Sequence, residues 1–180
     1  MSTNPYDRLP AVPSFEVTST DFQDGGPFAL AQYSAMTGIP GASDISPQLS
    51  WSGAPEGTKS FVVTMYDADA PTPSGFWHWA VANIPATVTT LATGAGAIGD
   101  AGLPQGAISL LGDARAPMYV GAAPAPGTGK HRYFIAVHAL DVATVAELGF
   151  DPQGTPASLN FAMLGHTLAL GVVTPWGGEA

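Results

Sequence analysis

Alternation of apolar and polar positions with a period of two dominates the first three quarters of the chain, the pattern of half-buried β-strands. Phe15 and Val17 alternate with Glu16 and Thr18 in a first predicted strand, followed by the turn-forming run Asp24-Gly25-Gly26-Pro27. Phe28 to Tyr33 reads as a second strand. A loop rich in Gly, Pro, Ser and Asp, from Thr37 to Pro47, leads to a short strand ending near Trp51. Ser60 to Asp67 is rich in Val, Phe, Thr and Tyr and is apolar on both faces, which predicts a central strand. Phe76 to Ile84 has the same character. The connection from Ala68 to Gly75 carries two prolines and is barred from a ladder interior. His131 to Leu140 forms a third long apolar strand.

From Thr87 to Pro126 the chain is full of Gly, Ala and Pro and reads as a long ordered loop region. Helical signals are confined to the end. Thr155-Pro156 supplies a capping hydroxyl followed by proline at the first helical position, and Leu159, Ala162, Met163, His166 and Leu170 recur at helical spacing. A shorter helix is predicted from Val142 to Leu148, ended by Gly149, before a Trp176-Gly177-Gly178 tail. No internal repeat or linker divides the sequence, so residues 1–180 read as a single domain. The fold class is mainly β: an antiparallel β-sandwich with short helices near the C-terminus.

Composition narrows the function classes. With 46% hydrophobic and 11% charged residues the chain is not of disordered type, and its 22 glycines and 17 prolines fit many turns around short strands. The absence of cysteine removes disulfides, thiolate zinc sites and cysteine nucleophiles. Five Lys+Arg against fourteen Asp+Glu give a net charge of −9, which disfavours nucleic acid and anionic lipid surfaces as partners. A single anion remains possible where local donors outweigh the long-range repulsion. The start of the chain lacks a basic segment followed by an apolar run, and no stretch approaches the length of a membrane span, so the expected address is cytoplasmic, without integral membrane contact.

Two segments concentrate polar groups that strands rarely carry without reason. The first is Asp67-Ala68-Asp69-Ala70-Pro71, followed by Phe76-Trp77-His78-Trp79 and Asn83-Ile84-Pro85; the second is Gly127-Thr128-Gly129-Lys130-His131-Arg132-Tyr133. If Ser60–Asp67 and Phe76–Ile84 pair antiparallel, Asp67 and His78 share one rim of the sheet, and His131 reaches it if its strand runs in the matching direction. The plain structural reading stands beside this one: Asp67 and Asp69 as turn residues capping amides, and each histidine as a backbone-bonded strand residue. His138, in mid-strand, and His166, in the predicted helix, take that structural reading. No close pair of metal ligands such as His-Glu-x-x-His is present, and no Gly-x-Ser-x-Gly marks a nucleophile. Ser74, Thr128 and Tyr133 lie near the candidate site without a sign of activation.

These segments, in this order, resemble the phosphatidylethanolamine-binding protein family in its bacterial, Raf-kinase-inhibitor-like branch. The family's Asp-x-Asp-Ala-Pro loop, its His-Trp strand ending in Asn-Ile/Leu-Pro and its Gly-x-His-Arg-Tyr appear as Asp67–Pro71, as His78-Trp79 with Asn83–Pro85, and as Gly129–Tyr133. Ser46-Pro47-Gln48-Leu49-Ser50-Trp51 matches a fourth motif. The resemblance implies a large antiparallel sheet packed on a smaller one, and a small pocket at one end for phosphate, acetate or phosphorylated head groups. Its lining would be Asp67, Asp69, His78, His131 and Tyr133, with Phe76 where relatives place an aromatic and the 121–127 loop as one wall. The resemblance further implies a cis peptide before Pro71 and a homodimer. Three departures mark this chain: Ala68 stands where the family has proline, the wall reads Ala123-Pro124-Ala125-Pro126, and the C-terminal stretch offers Trp176 in place of a tyrosine, which leaves Trp176 off the site.

The function that follows is non-enzymatic binding of a small anion or phosphorylated head group, with no cofactor and no metal. An interaction protein that inhibits a kinase or protease, regulated through the pocket, is the alternative. A hydrolase using Asp67 with His78 or His131 ranks third.

Overall fold

The computed structural model describes residues 4–178. Nine strands are present among them: β1 (Glu16–Thr18), β2 (Leu49–Ser52), β3 (Ser60–Asp67), β4 (Phe76–Pro85), β5 (Thr90–Leu91), β6 (Ile108–Ser109), β7 (His131–Leu140), β8 (Thr167–Val173) and β9 (Trp176–Gly177). They form two antiparallel sheets. The large one runs β6-β4-β3-β7-β8, with β9 paired to the start of β7, and the small one runs β1-β2-β5. The mainly β sandwich read from the sequence is therefore the observed architecture.

The centre of the large sheet is buried on both faces, which is why β3 and β7 lack a polar side. Phe61, Val63 and Met65 of β3, with Ile135 and Val137 of β7, pack toward the small sheet against Trp51 and Leu91. Val62 of β3 and Leu140 of β7 project the other way, against Val145, Phe150, Leu159 and Met163 of the C-terminal segment. Successive residues of a strand point to opposite faces, so each strand serves two cores at once.

Three sequence expectations are corrected. The predicted strand from Phe28 to Tyr33 is instead a 3-10 turn at Leu30–Gln32. Its flanks meet neighbours only at single bridges, Pro27 with Trp176 and Tyr33 with Ala122, so no ladder holds it extended. The helix α1 spans Pro156–Ala162, capped by Thr155, and does not continue to Leu170. Gly165 at φ 81° breaks the pattern, and Leu170 lies opposite His138 in the β7–β8 ladder. His166 accordingly lies outside the helix, its Nδ1 2.9 Å from Asp141 Oδ1. The predicted helix from Val142 is a single 3-10 turn, Val145–Leu148, held by a Thr144/Glu147 capping box and ended by Gly149 at φ 71°. No helix among the described residues is long and apolar enough to cross a membrane.

His138 is the least expected core residue. It is 1% exposed, and neither ring nitrogen has a hydrogen-bond partner among the described residues. Burial pushes its pKa down to about 4. The unfolded chain takes up this proton near pH 6.5 while the folded protein resists it, so stability falls as pH drops from 6.5 to 4, by about 3 kcal/mol at most. Urea unfolding of wild type and His138→Leu at pH 7 and pH 4.5 checks this. The variant is expected to lose less stability over that interval, by most of that amount.

Candidate functional site

The register of three strands brings the predicted residues to one rim. Asp67 ends β3 opposite Phe76 of β4 on one side and Tyr133 of β7 on the other. His131 lies two residues before Tyr133, so alternation turns it to the face shared by Asp67, Phe76 and Tyr133. The β3–β4 pairing steps from Tyr66↔Trp77 to Met65↔Trp79, which leaves His78 as the extra residue of a bulge. Bulges re-aim a side chain at a sheet rim. Here the His78 ring lies 4.8 Å from Phe76 and 5.3 Å, edge-on, from Tyr133.

Asp67 and His131 are 2% and 1% exposed, and they meet at 2.7 Å through Oδ2 and Nδ1. Asp67 Oδ1 accepts from Asp69 N at 2.9 Å, which turns the chain out of β3. On the other side of the His131 ring, Nε2 lies 2.7 Å from Thr128 Oγ1. The Thr128 hydroxyl has one proton and donates it to Ala125 O at 2.5 Å. Its contact with Nε2 is then satisfied with the ring as donor, and the Asp67 carboxylate accepts from Nδ1.

His78 is held differently. Its Nδ1 donates to Val120 O at 3.0 Å, and Val120 N bonds back to His78 O at 3.1 Å. That exchange ties the 120–126 wall to β4. The wall is seated by Gly121, whose N–H donates to Asp44 Oδ1 at 2.7 Å. A Cβ at Gly121 would lie 2.3 Å from Ser34 N, so only glycine permits this approach. His78 Nε2 has no hydrogen bond among the described residues. Burial lowers the His78 pKa, partly countered by the charge of Asp67. Tyr133 is fully buried, and burial beside Asp67 raises its pKa.

Asp69 stands apart from this group. Its carboxylate accepts from Arg132 at three points, the backbone N at 3.0 Å, Nε at 2.7 Å and Nη2 at 2.8 Å. The Arg132 hydrogen bond holds its pKa below the usual carboxylate value. Asp69 thus fastens the 67–71 loop to β7, and the structure brings together Asp67, Phe76, His78, His131 and Tyr133 without it. Trp176 pairs through its backbone with Arg132, and its ring lies 4.0 Å beneath Lys130 Nζ. Every described peptide bond is trans, that before Pro71 included, against the expected cis form. No cluster of three or more potential metal ligands occurs among the described residues. Thr128 is the participant whose role sequence reasoning missed: it was noted near the site, but only folding shows it against His131.

Residues 18–175 match the family model described as phosphatidylethanolamine-binding protein. The chain belongs to that family. It is 39% identical to YbcL of Escherichia coli over 162 residues, 90% of this chain and 86% of the relative. It is 40% identical to YbhB of the same organism over 159 residues, 88% of this chain and 97% of the relative. The crystal structure of E. coli YbcL, described as a new member of the mammalian family, superposes with a TM-score of 0.84 at 38% identity, covering 93% of this chain and 99% of that one. A homologue from Chlamydia trachomatis gives a TM-score of 0.74 at 28% identity, with the same coverage.

In this member of the phosphatidylethanolamine-binding protein family, the Asp67–His131 contact carries a stability consequence. Asp67→Asn replaces the carboxylate that the buried His131 ring meets at 2.7 Å by an uncharged amide, which is expected to cost about 3 kcal/mol. Urea unfolding measures the loss.

Proposed function

We propose that this protein binds a small anion, or the phosphorylated head group of a larger molecule, at the rim formed by His78, His131, Tyr133 and the 120–126 wall, and that it performs no chemistry there. The observation that carries this reading is Thr128 Oγ1, which stands 2.7 Å from His131 Nε2 in the position an anion oxygen would take. Gly127 and Gly129, both at φ 78°, flank Thr128 and give the loop the freedom to swing it aside. Beside it, His78 Nε2 and the Tyr133 hydroxyl are free to meet further oxygens. Asp67 orients His131 through the 2.7 Å contact, and Asp69 and Phe76 shape the surroundings without contacting the ligand through charge.

The hydrogen-bond directions support a non-catalytic role. The Thr128 hydroxyl donates to a carbonyl and not to a histidine, so no base activates it as a nucleophile. The Asp67 carboxylate is occupied by two donors.

His78 makes binding depend on pH. Its Nδ1 proton is committed to Val120 O, so Nε2 donates to an anion only after the ring is protonated. Its pKa is lowered in the free protein, and a bound anion favours the charged ring. Binding therefore takes up a proton, and affinity rises as pH falls below about 6.5.

A second reading, an interaction protein regulated through the pocket, is favoured by exposed Leu30, Met36 and Ile39. Leu30 and Ile39 border a cleft of about 280 Å³ against Pro124 and Pro126 of the wall. A stoichiometric partner whose affinity changes with sulfate would support it, and a homodimer would draw on the same apolar surface.

NMR titration with sulfate, whose charge is constant from pH 5 to 8, and with phosphoethanolamine tests the first reading. Saturable shifts are expected in both the His78 and His131 rings, lost in His131→Ala. Thr128→Ala is expected to tighten sulfate binding by up to about tenfold, the worth of one competing hydrogen bond. Silent rings, or an affinity flat from pH 5 to 8, would overturn the reading.

A further inference from the structure

A second cavity lies on the face of the large sheet turned away from the His78–His131 rim. It is a cleft of about 420 Å³ walled by Tyr6, Leu9 and Val12 of the N-terminal stretch, by Leu170 of β8, and by Leu164 beyond α1. His138 also lines it. The volume falls in the range of small-ligand sites, roughly 300–1,000 Å³. The walls are mostly apolar, so they would cover a hydrocarbon body.

His138 makes this more than an apolar hollow. A ring 1% exposed, with both nitrogens unpartnered among the described residues, is a desolvation of a kind folded proteins rarely keep uncompensated. Its neighbours do not answer it. The Tyr6 ring lies 5.9 Å away, but its hydroxyl is engaged with Thr64 Oγ1 at 3.2 Å. We propose that the cleft binds a small uncharged molecule with an apolar body and one hydroxyl group, an alkylphenol or comparable alcohol, whose hydroxyl pairs with His138.

The choice of ligand follows from the lining. A neutral imidazole presents one donor and one acceptor, and a hydroxyl suits either nitrogen in either tautomer. Among the described residues, Asp7 is the only acidic or basic side chain lining the cleft apart from His138, and the chain carries a net charge of −9. A carboxylate or phosphate would meet no cation there. A cation would gain from Asp7 but would face the donor nitrogen of His138 and an apolar floor. The site is also separate from the anion pocket: His131 and Tyr133 occupy odd positions of β7 and His138 an even one, on opposite faces of the strand.

Titration of the intact chain with 4-propylphenol, propylbenzene and octanoate tests this, followed by the His138 ring ¹⁵N signals and by calorimetry. The phenol is expected to saturate and to shift the His138 ring while leaving the His78 and His131 rings unmoved. Propylbenzene and octanoate are expected to bind at least about tenfold more weakly, for want of the hydroxyl and for their lack of a cation respectively. His138→Leu is expected to remove the preference for phenol over propylbenzene. Leu164→Trp, at the half-exposed rim, is expected to weaken both and serves if the first variant misfolds. Equal binding of phenol and propylbenzene by wild type, octanoate as tight as the phenol, or a His138 ring that stays still to the solubility limit would each overturn the proposal.

Discussion

A buried carboxylate, Asp67, joins the ends of β3 and β7, and the rim of the large sheet is organised around it. An isolated acid at that depth would cost several kcal/mol. Asp67 meets the cost with two donors, His131 Nδ1 and Asp69 N, at 2.7 and 2.9 Å. The first fixes the plane of the His131 ring. The second bends the chain away from the sheet, so that Asp69 reaches Arg132 on the flank of β7. Two acids two residues apart thereby take unlike tasks, one inside the rim and one outside it, because the strand ends between them.

The remaining half of the rim rests on a bulge and a glycine. An unbulged β4 would place His78 in the ladder, with its side chain fixed by the regular pleat. The extra residue re-aims the ring at Tyr133 and lets Nδ1 reach Val120 O. Val120 can be there because Gly121 passes against the backbone of Tyr33 and Ser34, where a Cβ has no room. Asp44, itself at φ 52°, holds both Gly121 N and Ala35 N. The wall is thus fastened from outside, and its far end turns through Gly127 and Gly129, both at φ 78°. A rim rigid on the His78 side and adjustable on the Thr128 side is what a pocket needs if it must hold one group and admit another.

How much of this was legible in the sequence depended on whether one physical signal acted alone. β3 and β7 were read with their observed limits and β4 to within one residue, because strands buried on both faces show continuous apolar, β-branched and aromatic runs. Asp67, Phe76, His131 and Tyr133 converge because antiparallel pairing and alternation are enough to bring them to one rim, and the β4 bulge turns the His78 ring toward them. Asp69 has the spacing from Asp67 of a shared lining, whereas the direction of its side chain is decided by Arg132, a charge whose position only folding reveals. The α1–β8 junction misled because Leu159, Met163, His166 and Leu170 satisfy helical spacing. The strand pairing with β7 and the left-handed glycine at 165 outweigh that local period. Thr128 was invisible as a participant, since nothing in a Gly-Thr-Gly run records which acceptor its hydroxyl will find.

The two histidines of β7 show how differently one strand can treat the same side chain. His131 and His138 are equally buried, yet the first is bonded at both nitrogens and the second at neither. Burial alone therefore does not explain either. At position 131 the carboxylate was brought in with the histidine, through Asp67 opposite Tyr133, so a ring nitrogen has its partner at 2.7 Å. At position 138 the cross-strand partners are Val62 and Leu170, which offer nothing to a ring nitrogen and leave the neutral form favoured. A leucine there would pack against the same neighbours without the desolvation cost. The retention of an imidazole at the wall of a cleft, where its hydrogen-bonding capacity is unused by the protein, is thus better accounted for by something that enters the cleft than by the packing of the sheet.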